Sequence, residues 1–414
     1  MFIGRRIAFL LAVALYCNPI ISAQSTSQLP VNNIYLDVVV ASKAGSPVAG
    51  LAQQVFTLLD NGIPRSITSF RALGSGEAPA EVIVVIDAVN ANPETIAYER
   101  TQVVKVLRAN GGVCPHPTTF AVFTEVGIQI HPDFTTDGNA LATGFHDETV
   151  RLSTLSQGHP QNDCTGNGGC PDGAFEIANE RRRLSLKALQ TVAAQEAARP
   201  GRKLVLWISP GWPLLSQPGS SARFTSLQRQ QMFASIVSLS TQIQHARITL
   251  YGIDPLATHG VDVRDFSYQA YLKGVRNVKD VQPGNLGLQV FAVHSGGLAL
   301  TTGNDLAELL QKCFADTEAY YEISFETPAA SQPDEYHRLE IRLAKPGLKA
   351  RTRESYYAQL STATNNSSLI SVSQAQVGEN EPYIPISRVV SMGRRNTQLG
   401  LSGAGRRKRT LNPD

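Results

Sequence analysis

Several ingredients of common functional sites are missing from this 414-residue sequence. It has no Cys-x-x-Cys pair and no Gly-x-Ser-x-Gly elbow, and glycine pairs such as Gly111-Gly112 fit neither a phosphate-binding loop nor a dinucleotide fingerprint. Neither sign of charge is in large excess. The 37 Lys and Arg residues nearly balance the 34 Asp and Glu residues and leave a net charge of +3. Phosphate binding needs a concentrated basic face, so we expect no nucleic acid partner.

Long apolar runs are lacking beyond the amino terminus. There, Arg5 and Arg6 precede an apolar run over residues 7–16, and small residues follow up to Ala23. A run of about ten residues is too short to span a bilayer as a helix, which needs roughly 20. This order is typical of a secretory signal peptide, so we predict that residues 1–23 are removed on export. An uncleaved membrane anchor is the alternative, and no transmembrane segment is expected after cleavage.

Cysteine is rare, with five residues in the chain. Cys17 would leave with the signal peptide. Cys164 and Cys170 bracket a glycine-rich loop, and we predict a disulfide between them because an exported chain can keep disulfides. The spacing gives no support to a pair between Cys114 and Cys313.

Both ends of the ordered chain are predicted to be β-structure. Short strands at 34–40, 55–59 and 67–70, separated by turn residues and without helical period, predict a small β element over residues 33–75. Alternation of apolar and polar residues returns over 318–358. We expect this last segment to pair with the first, so that one small antiparallel β-sandwich element holds both chain ends.

The middle of the chain, residues 80–317, has a different pattern. Continuous apolar runs at 82–86, 204–208 and 248–253 are typical of strands buried on both faces of a parallel sheet, and 291–293 is a fourth candidate strand. Amphipathic helical patterns separate these runs. Alternating strands and helices predict an α/β fold with a doubly wound, mostly parallel, Rossmann-like sheet.

The last part of the chain, residues 361–414, is rich in Ser, Asn, Thr, Gln and Gly and contains the basic run 406–409. Such a composition buries too little apolar surface to fold, so we predict a disordered basic tail. A solvated tail is the simpler interpretation, and contact with an acidic envelope surface or nucleic acid is the alternative.

A series of short motifs runs in a specific order over about residues 33–358. The motifs lie at residues 38–40, 45–51, 56–62, 67–70, 84–90, 133–137, 250–254, 295–297, 320–325, 338–341, 345–347 and 353–357. Together they resemble the VWFA-related proteins abundant in Acidobacteria. The resemblance implies a von Willebrand factor A-like domain, export, and a role in adhesion or protein binding.

The resemblance also implies where a divalent cation would bind. The family pattern is Asp-x-Ser-x-Ser after the first strand, a set of oxygen ligands that suits Mg²⁺. Asp87 matches the first position, but Val89 and Ala91 replace the serines, and the strand at 204–208 ends in Ser209 where a second Asp is expected. We therefore expect a degenerate metal site without a cofactor, in which Asp87 hydrogen-bonds its own loop.

Ligands of open α/β sheets bind in the crevice beyond the carboxyl ends of the strands. The residues expected to line it are Asp87, Asn90, Ser209 and Asp254. Trp212 lies in a predicted loop at the same edge and is a candidate exposed anchor for a partner, because tryptophan is enriched at interface hot spots.

Three functions follow from these patterns. We favour a non-enzymatic exported protein, periplasmic, envelope-associated or secreted, that binds a protein or envelope ligand. A structural or assembly component of the cell envelope is the second. A cryptic hydrolase is the third, and it is disfavoured because adjacent residues such as His294 and Ser295 rarely face each other and Pro210 lacks the backbone N–H of an oxyanion hole.

Overall fold

Two units make up the described part of the chain. A computed structural model describes residues 33–74, 80–155, 174–213, 224–254, 268–301 and 305–360. Within these residues the strands form one seven-stranded sheet and two four-stranded sheets. We call the large sheet and its helices the α/β unit, and the two small sheets the β unit.

The strands follow one another from the start of the described chain to its end. Their bounds are β1 Asn33–Ser42, β2 Phe56–Asp60, β3 Ile63–Arg65, β4 Ile67–Leu73, β5 Ala80–Asp87, β6 Val113–Thr124, β7 Gly127–Ile130, β8 Thr135–Asp137, β9 Arg202–Ile208, β10 Ile248–Ile253, β11 Ala299–Leu300, β12 Tyr320–Glu326, β13 Glu335–Leu343, β14 Leu348–Arg351 and β15 Ser355–Ala358. The α-helices are α1 Pro93–Leu107, α2 Gly138–Leu155, α3 Ala174–Glu196, α4 Ser226–His245, α5 Leu288–His294 and α6 Leu306–Ala315.

The sheet of the α/β unit is mostly parallel. Its order is β11-β10-β9-β5-β6-β7, and β8 also pairs with β6. The strands from β11 to β6 run parallel, whereas β7 and β8 are antiparallel to β6. Every residue of β9 and β10 is buried, because layers of helix cover both faces. The three continuous apolar runs of the sequence are therefore neighbours in one sheet, as predicted.

Helices cover the sheet on both sides. Side chains of α1, α2 and α6 share one core with one face of the strands, and side chains of α3, α4 and α5 share another core with the opposite face. Alternate residues of β5 point to the two cores, as shown by Val84 in the first and Val85 in the second. This mixed α/β arrangement agrees with the fold class predicted from the sequence.

One predicted strand is wrong. Residues 291–293 lie in helix α5, and the strand at that edge of the sheet is the two-residue β11. A short apolar run does not distinguish a strand from a helix that is buried nearly all round. Leu288, Phe291 and Ala292 of α5 are all at most 3% exposed. Gly252 in β10 allows α5 to pack closely against the sheet, since a Cβ at this position would lie 3.3 Å from Leu288 Cγ.

The β unit contains both ends of the described chain. Its sheets have the orders β14-β1-β12-β4 and β15-β13-β2-β3. The antiparallel pairing of β1 with β12 joins residues that are far apart in sequence, such as Leu36 and Ile323. Side chains of both sheets share one apolar core. The chain leaves this unit after Leu73 and returns at Tyr320, and these two residues are partners across β4 and β12.

Buried charge joins the two units at the amino ends of the parallel strands. Arg247, immediately before β10, bonds Asp37 of β1 at 2.5 Å and Glu322 of β12 at 2.7 Å. Arg202, at the start of β9, is 1% exposed and lies over the ring of Tyr320 at 4.6 Å from its centroid. The β unit therefore contacts the amino edge of the sheet, and the opposite edge ends in the loops described below.

Several sequence predictions fall outside the described residues. These are the signal peptide at 1–23, the disulfide between Cys164 and Cys170, and the tail at 361–414. Cys114 and Cys313 are both buried and unbonded. Among the helices of the described ranges, none combines the length and the apolar character that a membrane span requires.

Candidate functional site at the carboxyl edge of the sheet

Three of the predicted site residues lie side by side at the carboxyl edge, by which we mean the edge at which β5, β9 and β10 end. Ile86 pairs with Ile208, and Ile208 pairs with Ile253. Asp87, Ser209 and Asp254 end or directly follow those three aligned strands. The backbone N–H of Ser209 donates to Ile253 O at 2.9 Å, which extends the pairing to the edge itself.

Asp87 is the centre of this edge and is fully buried. Its Oδ1 accepts from the backbone N–H groups of Val89 and Asn90 at 3.1 and 2.9 Å. Its Oδ2 accepts from Trp207 Nε1 at 3.0 Å and from Ser209 Oγ at 2.9 Å. The side-chain amide of Asn90 donates to both oxygens, at 3.1 and 2.9 Å. Burial raises the pKa of Asp87 above its ordinary value, although these donors favour the ionised form.

Further hydrogen bonds tie Asp87 to the loops and to helix α3. Asn90 Nδ2 also donates to Ser185 Oγ at 2.9 Å, and Ser185 in turn donates to Arg181 O at 2.8 Å. Ser209 Oγ accepts from the backbone N–H of Gly211 at 3.1 Å. The Oδ1 atom of Asn90 is buried and has no hydrogen-bond partner. The Asp87 carboxylate thus fixes the loop after β5 and the first residues after β9, Ser209 to Gly211.

The positions of the missing metal ligands are used for packing and capping. Val89 is 1% exposed in the core beneath α3 and α4, and Ala91 is 7% exposed in the core beneath α1. The Asn92 side chain accepts from the backbone N–H of Thr95 at 2.7 Å and so caps α1. In the described ranges, no group of three or more His, Cys, Asp and Glu side chains is arranged to hold a metal ion.

Trp212 does not have the exposed position expected from the sequence. It is 3% exposed, with its ring 5.4 Å from that of Trp207 and 6.4 Å from that of Phe291. Trp212 packs against Phe291 of α5, so the indole completes the core instead of projecting from it. Its Nε1 is buried without a hydrogen-bond partner.

A buried carboxyl group that the sequence analysis did not single out lies under this edge. Glu99 of α1 is 0% exposed, and neither of its oxygens has a hydrogen-bond partner. Burial raises its pKa well above the ordinary value, and the charges of Asp87 and Asp254 add to the effect. The sequence could have predicted the burial of Glu99 from the helical period. Glu99 follows Ile96 by three residues and precedes Val103 by four, so it lies on the face of α1 that packs on the sheet.

Exposed apolar side chains lie beside the carboxyl edge. Val126, in the turn after β6, is 88% exposed, and Ile177 of α3 is 39% exposed. Arg181, one turn after Ile177, interacts electrostatically with Asp87 and with Glu125, which precedes Val126. Both apolar side chains therefore belong to elements that reach the surroundings of Asp87.

The hydrolase alternative has no support at residues 294 and 295. Ser295 Oγ donates to Ala292 O at 2.8 Å and accepts from the backbone N–H of Leu250 at 2.9 Å, so the hydroxyl fastens α5 to β10. His294 Nδ1 faces a different residue, Glu354, at 3.2 Å.

Comparisons with known proteins do not identify a family or a function for this chain. No protein-family model matches the chain, and no curated protein matches its sequence. Solved structures that match include the amino-terminal domain of TFIIH p34, with 17% identity, a TM-score of 0.24, and coverage of 52% of this chain and 97% of that one. The manganese-loaded TRAP protein of Plasmodium vivax matches with 8% identity and a TM-score of 0.28, over 70% of this chain and 98% of that one.

A pilus adhesin, SpaC from Lactobacillus rhamnosus GG, matches with 10% identity and a TM-score of 0.31, over 78% of this chain and 48% of the adhesin. Scores this low carry no argument about fold or function. The functional inference therefore depends on the residues of this chain.

Proposed function

We propose that this chain is an exported, non-enzymatic binding protein of the adhesion type, and that a protein or another envelope component binds at the carboxyl edge. Two considerations support the proposal. The motifs along residues 33–358 resemble those of VWFA-related proteins, and the crevice beyond the strand ends is the usual ligand site of an open α/β sheet. Asn90 and Asp254 are partly exposed polar residues of this edge, whereas Asp87 and Ser209 are buried beneath it.

The observation that carries the proposal is the hydrogen bonding of Asp87. Both oxygens of this carboxylate accept bonds from donors of the protein itself. A general base or nucleophile must present an oxygen to the substrate, and Asp87 would have to break its loop contacts to do so. The same contacts occupy the oxygens that a metal ion would need. We propose that Asp87 fixes the loops beneath the binding surface and that binding needs no divalent cation.

The exposed side chains beside this edge support a contact with a partner. Val126 and Ile177 present apolar surface, and Arg181 with Glu125 provides charges of both signs nearby. An apolar centre with a polar surround is the usual composition of a protein interface. Trp212 is buried and is not part of this surface.

Site-specific photocrosslinking tests the proposal. A photoreactive amino acid replaces Val126 at the carboxyl edge or, as the control, Ile63 of β3, which is 56% exposed in the β unit. The full chain is then irradiated with an envelope fraction of the source cells. We expect a discrete covalent adduct from position 126, with equal yield in Mg²⁺ and in a chelator, and none from position 63.

Two outcomes contradict the proposal. Adducts from position 63 alone would favour an assembly role for the β unit. Adducts from position 126 that vanish in the chelator would show that the edge binds through a metal ion.

A further inference from the structure

Strand β4 of the β unit is an edge strand, with a partner strand on one side only. Among the described strands it pairs with β12 alone, and we call its other side the open side of β4. β4 has seven residues, whereas β7, β14 and β15 have four each, β3 and β8 have three, and β11 has two. β4 is therefore the longest edge strand in the described part of the chain, and its open side presents backbone N–H and C=O groups to another strand.

The shorter edge strands of the β unit have features that discourage pairing with another chain. Pro64 in β3 lacks a backbone N–H, and Lys349 in β14 is exposed and charged. Tyr357 of β15 packs against Phe233 of α4, with ring centroids 6.1 Å apart. Short length, proline, lysine and a covering helix are the usual means by which natural proteins protect edge strands.

β4 has little of this protection. It contains neither proline nor lysine, and its one charged residue, Arg71, pairs with Glu322 of β12 at 3.4 Å. A bulge at Thr68 interrupts the pairing near one end, but residues 69–73 keep a regular register with β12. Residues 68, 69, 71 and 72 are all exposed. The open side of β4 is thus accessible along most of its length.

Apolar side chains also lie at this edge. Ile67 and Phe70 pack against the core of the β unit but are only partly buried. The Phe70 ring lies 5.3 Å from that of Phe56 and 5.9 Å from that of Tyr321. A strand added on the open side of β4 would cover the exposed part of both side chains.

We propose that β4 pairs antiparallel with β4 of a second copy of this chain, with Phe70 on the two-fold axis. In that register Ser69 lies opposite Arg71 of the second copy, and Ile67 lies opposite Leu73. The one charged side chain of the strand thus meets a small hydroxyl group instead of a like charge. A two-fold interface requires this kind of self-complementarity, because the same surface forms both sides.

The attachment of the α/β unit is compatible with this arrangement. That unit contacts the β unit at the Leu73 end of β4, since Tyr320, the partner of Leu73, packs under the guanidinium of Arg202. Antiparallel pairing therefore places the two α/β units at opposite ends of the paired strands. The dimer does not depend on the proposed function, but it would present two carboxyl edges and so raise the avidity for a repeated partner.

Sedimentation equilibrium of the full chain tests the dimer. Pairing of one strand buries less than the roughly 1,200 Å² of a stable interface, so we expect a weak dimer with a Kd on the order of 10 µM. Ser69→Lys places a lysine opposite Arg71 of the second copy. It should raise the Kd about tenfold, because this like-charge contact occurs twice in a two-fold dimer.

Two matched variants identify the contact. Ser69→Asp loses the same hydrogen bond as Ser69→Lys, to Ser324 Oγ at 2.6 Å, but places a carboxylate opposite Arg71. Its Kd should equal or fall below that of the wild type. Thr57→Lys adds the same charge at an exposed position of the interior strand β2, and it should leave the Kd unchanged.

The outcomes decide the proposal. A chain that stays monomeric at concentrations of about 200 µM, well above the expected Kd, overturns it. Equal dissociation constants for Ser69→Lys and Ser69→Asp also overturn it, because the charge at position 69 would then face no Arg71. If Ser69→Lys fails to fold, a Kd of Ser69→Asp above that of the wild type has the same meaning. A crosslink between two copies has twice the mass of the chain, so it is distinguishable from an adduct of Val126 with an envelope component.

Discussion

Two buried carboxyl groups beneath the carboxyl edge have opposite surroundings. Asp87 accepts hydrogen bonds on both oxygens, whereas Glu99 has none. A buried carboxylate without partners is costly, so Glu99 keeps its proton to a higher pH than it would in the unfolded chain. The two residues therefore contribute differently, Asp87 to the geometry of the loops and Glu99 to the pH dependence of stability.

The substitution Glu99→Gln should flatten the decline of stability with pH. The folded state of the wild type retains the Glu99 proton above the ordinary pKa of 4.5, where the unfolded chain releases it. The free energy of unfolding therefore falls as the pH rises from that value through the raised folded pKa, by at most about 1.4 kcal/mol per pH unit. Glutamine mimics the neutral acid and removes this contribution. Urea unfolding at about pH 5 and about pH 8 measures the difference.

The control is Glu94→Gln, on the exposed face of the first turn of the same helix. It should keep the wild-type decline with pH. A decline that is also unchanged in Glu99→Gln would mean that Glu99 is ionised in the folded protein.

At the scale of elements, helix α5 approaches the sheet closely because of the glycines that follow it. A Cβ on Gly297 would lie 1.8 Å from Leu250 O and 2.7 Å from Leu250 C. These are backbone atoms of β10, which cannot rotate away as a flexible side chain does. Gly296 has a φ of +90°, a conformation that other residues rarely adopt.

We expect Gly297→Ala to lower the free energy of unfolding by about 3 kcal/mol or more, because the added methyl group forces α5 away from β10. Gly74→Ala is the matched control, since a Cβ there meets nothing within 4 Å. It should change stability by less than about 0.5 kcal/mol. Chemical unfolding of both variants measures the two values, and similar losses would contradict the close packing described here.

The sequence predicts elements well where one pattern has one meaning. The apolar runs of β5, β9 and β10 are continuous, and segments with a helical period separate them. The sequence therefore identifies these runs clearly as strands. The run at 291–293 is short and has no polar residue that would reveal its period. Its sequence therefore does not distinguish a strand from the buried helix that packs on β10. Contacts such as Trp207 Nε1 to Asp87 join positions 120 residues apart, and no local pattern predicts them. The burial of Trp212 was missed for the same reason.

At the scale of the whole molecule, buried ion pairs hold the two units together. Arg247 is 20% exposed and bonds Asp37 and Glu322, which are 9% and 11% exposed. Its φ of +52° is unusual for a residue with a side chain. Arg247 lies in the turn between α4 and β10, and its guanidinium contacts both acids.

The substitution Arg247→Ala should destabilise the protein by about 3 kcal/mol, since it leaves the Asp37 carboxylate without its bonded cation and Glu322 with only the exposed Arg71. Arg71→Ala is the control, because Arg71 also pairs with Glu322, at 3.4 Å, but is 57% exposed. Exposed pairs contribute little, so we expect a loss below about 1 kcal/mol. Denaturant titration monitored by tryptophan fluorescence measures both. Equal losses would show that the junction depends on apolar packing instead.

The pairing of Leu73 with Tyr320 means that the chain leaves the β unit and returns to it at neighbouring positions of one sheet. Since β4 and β12 are antiparallel neighbours there, a tight turn of about two residues would connect them as a simple hairpin. The α/β unit is thus an insertion between two neighbouring strands of the β unit. A shortened chain without it would test whether the small sheets fold alone, and a different module could be grafted at the same junction.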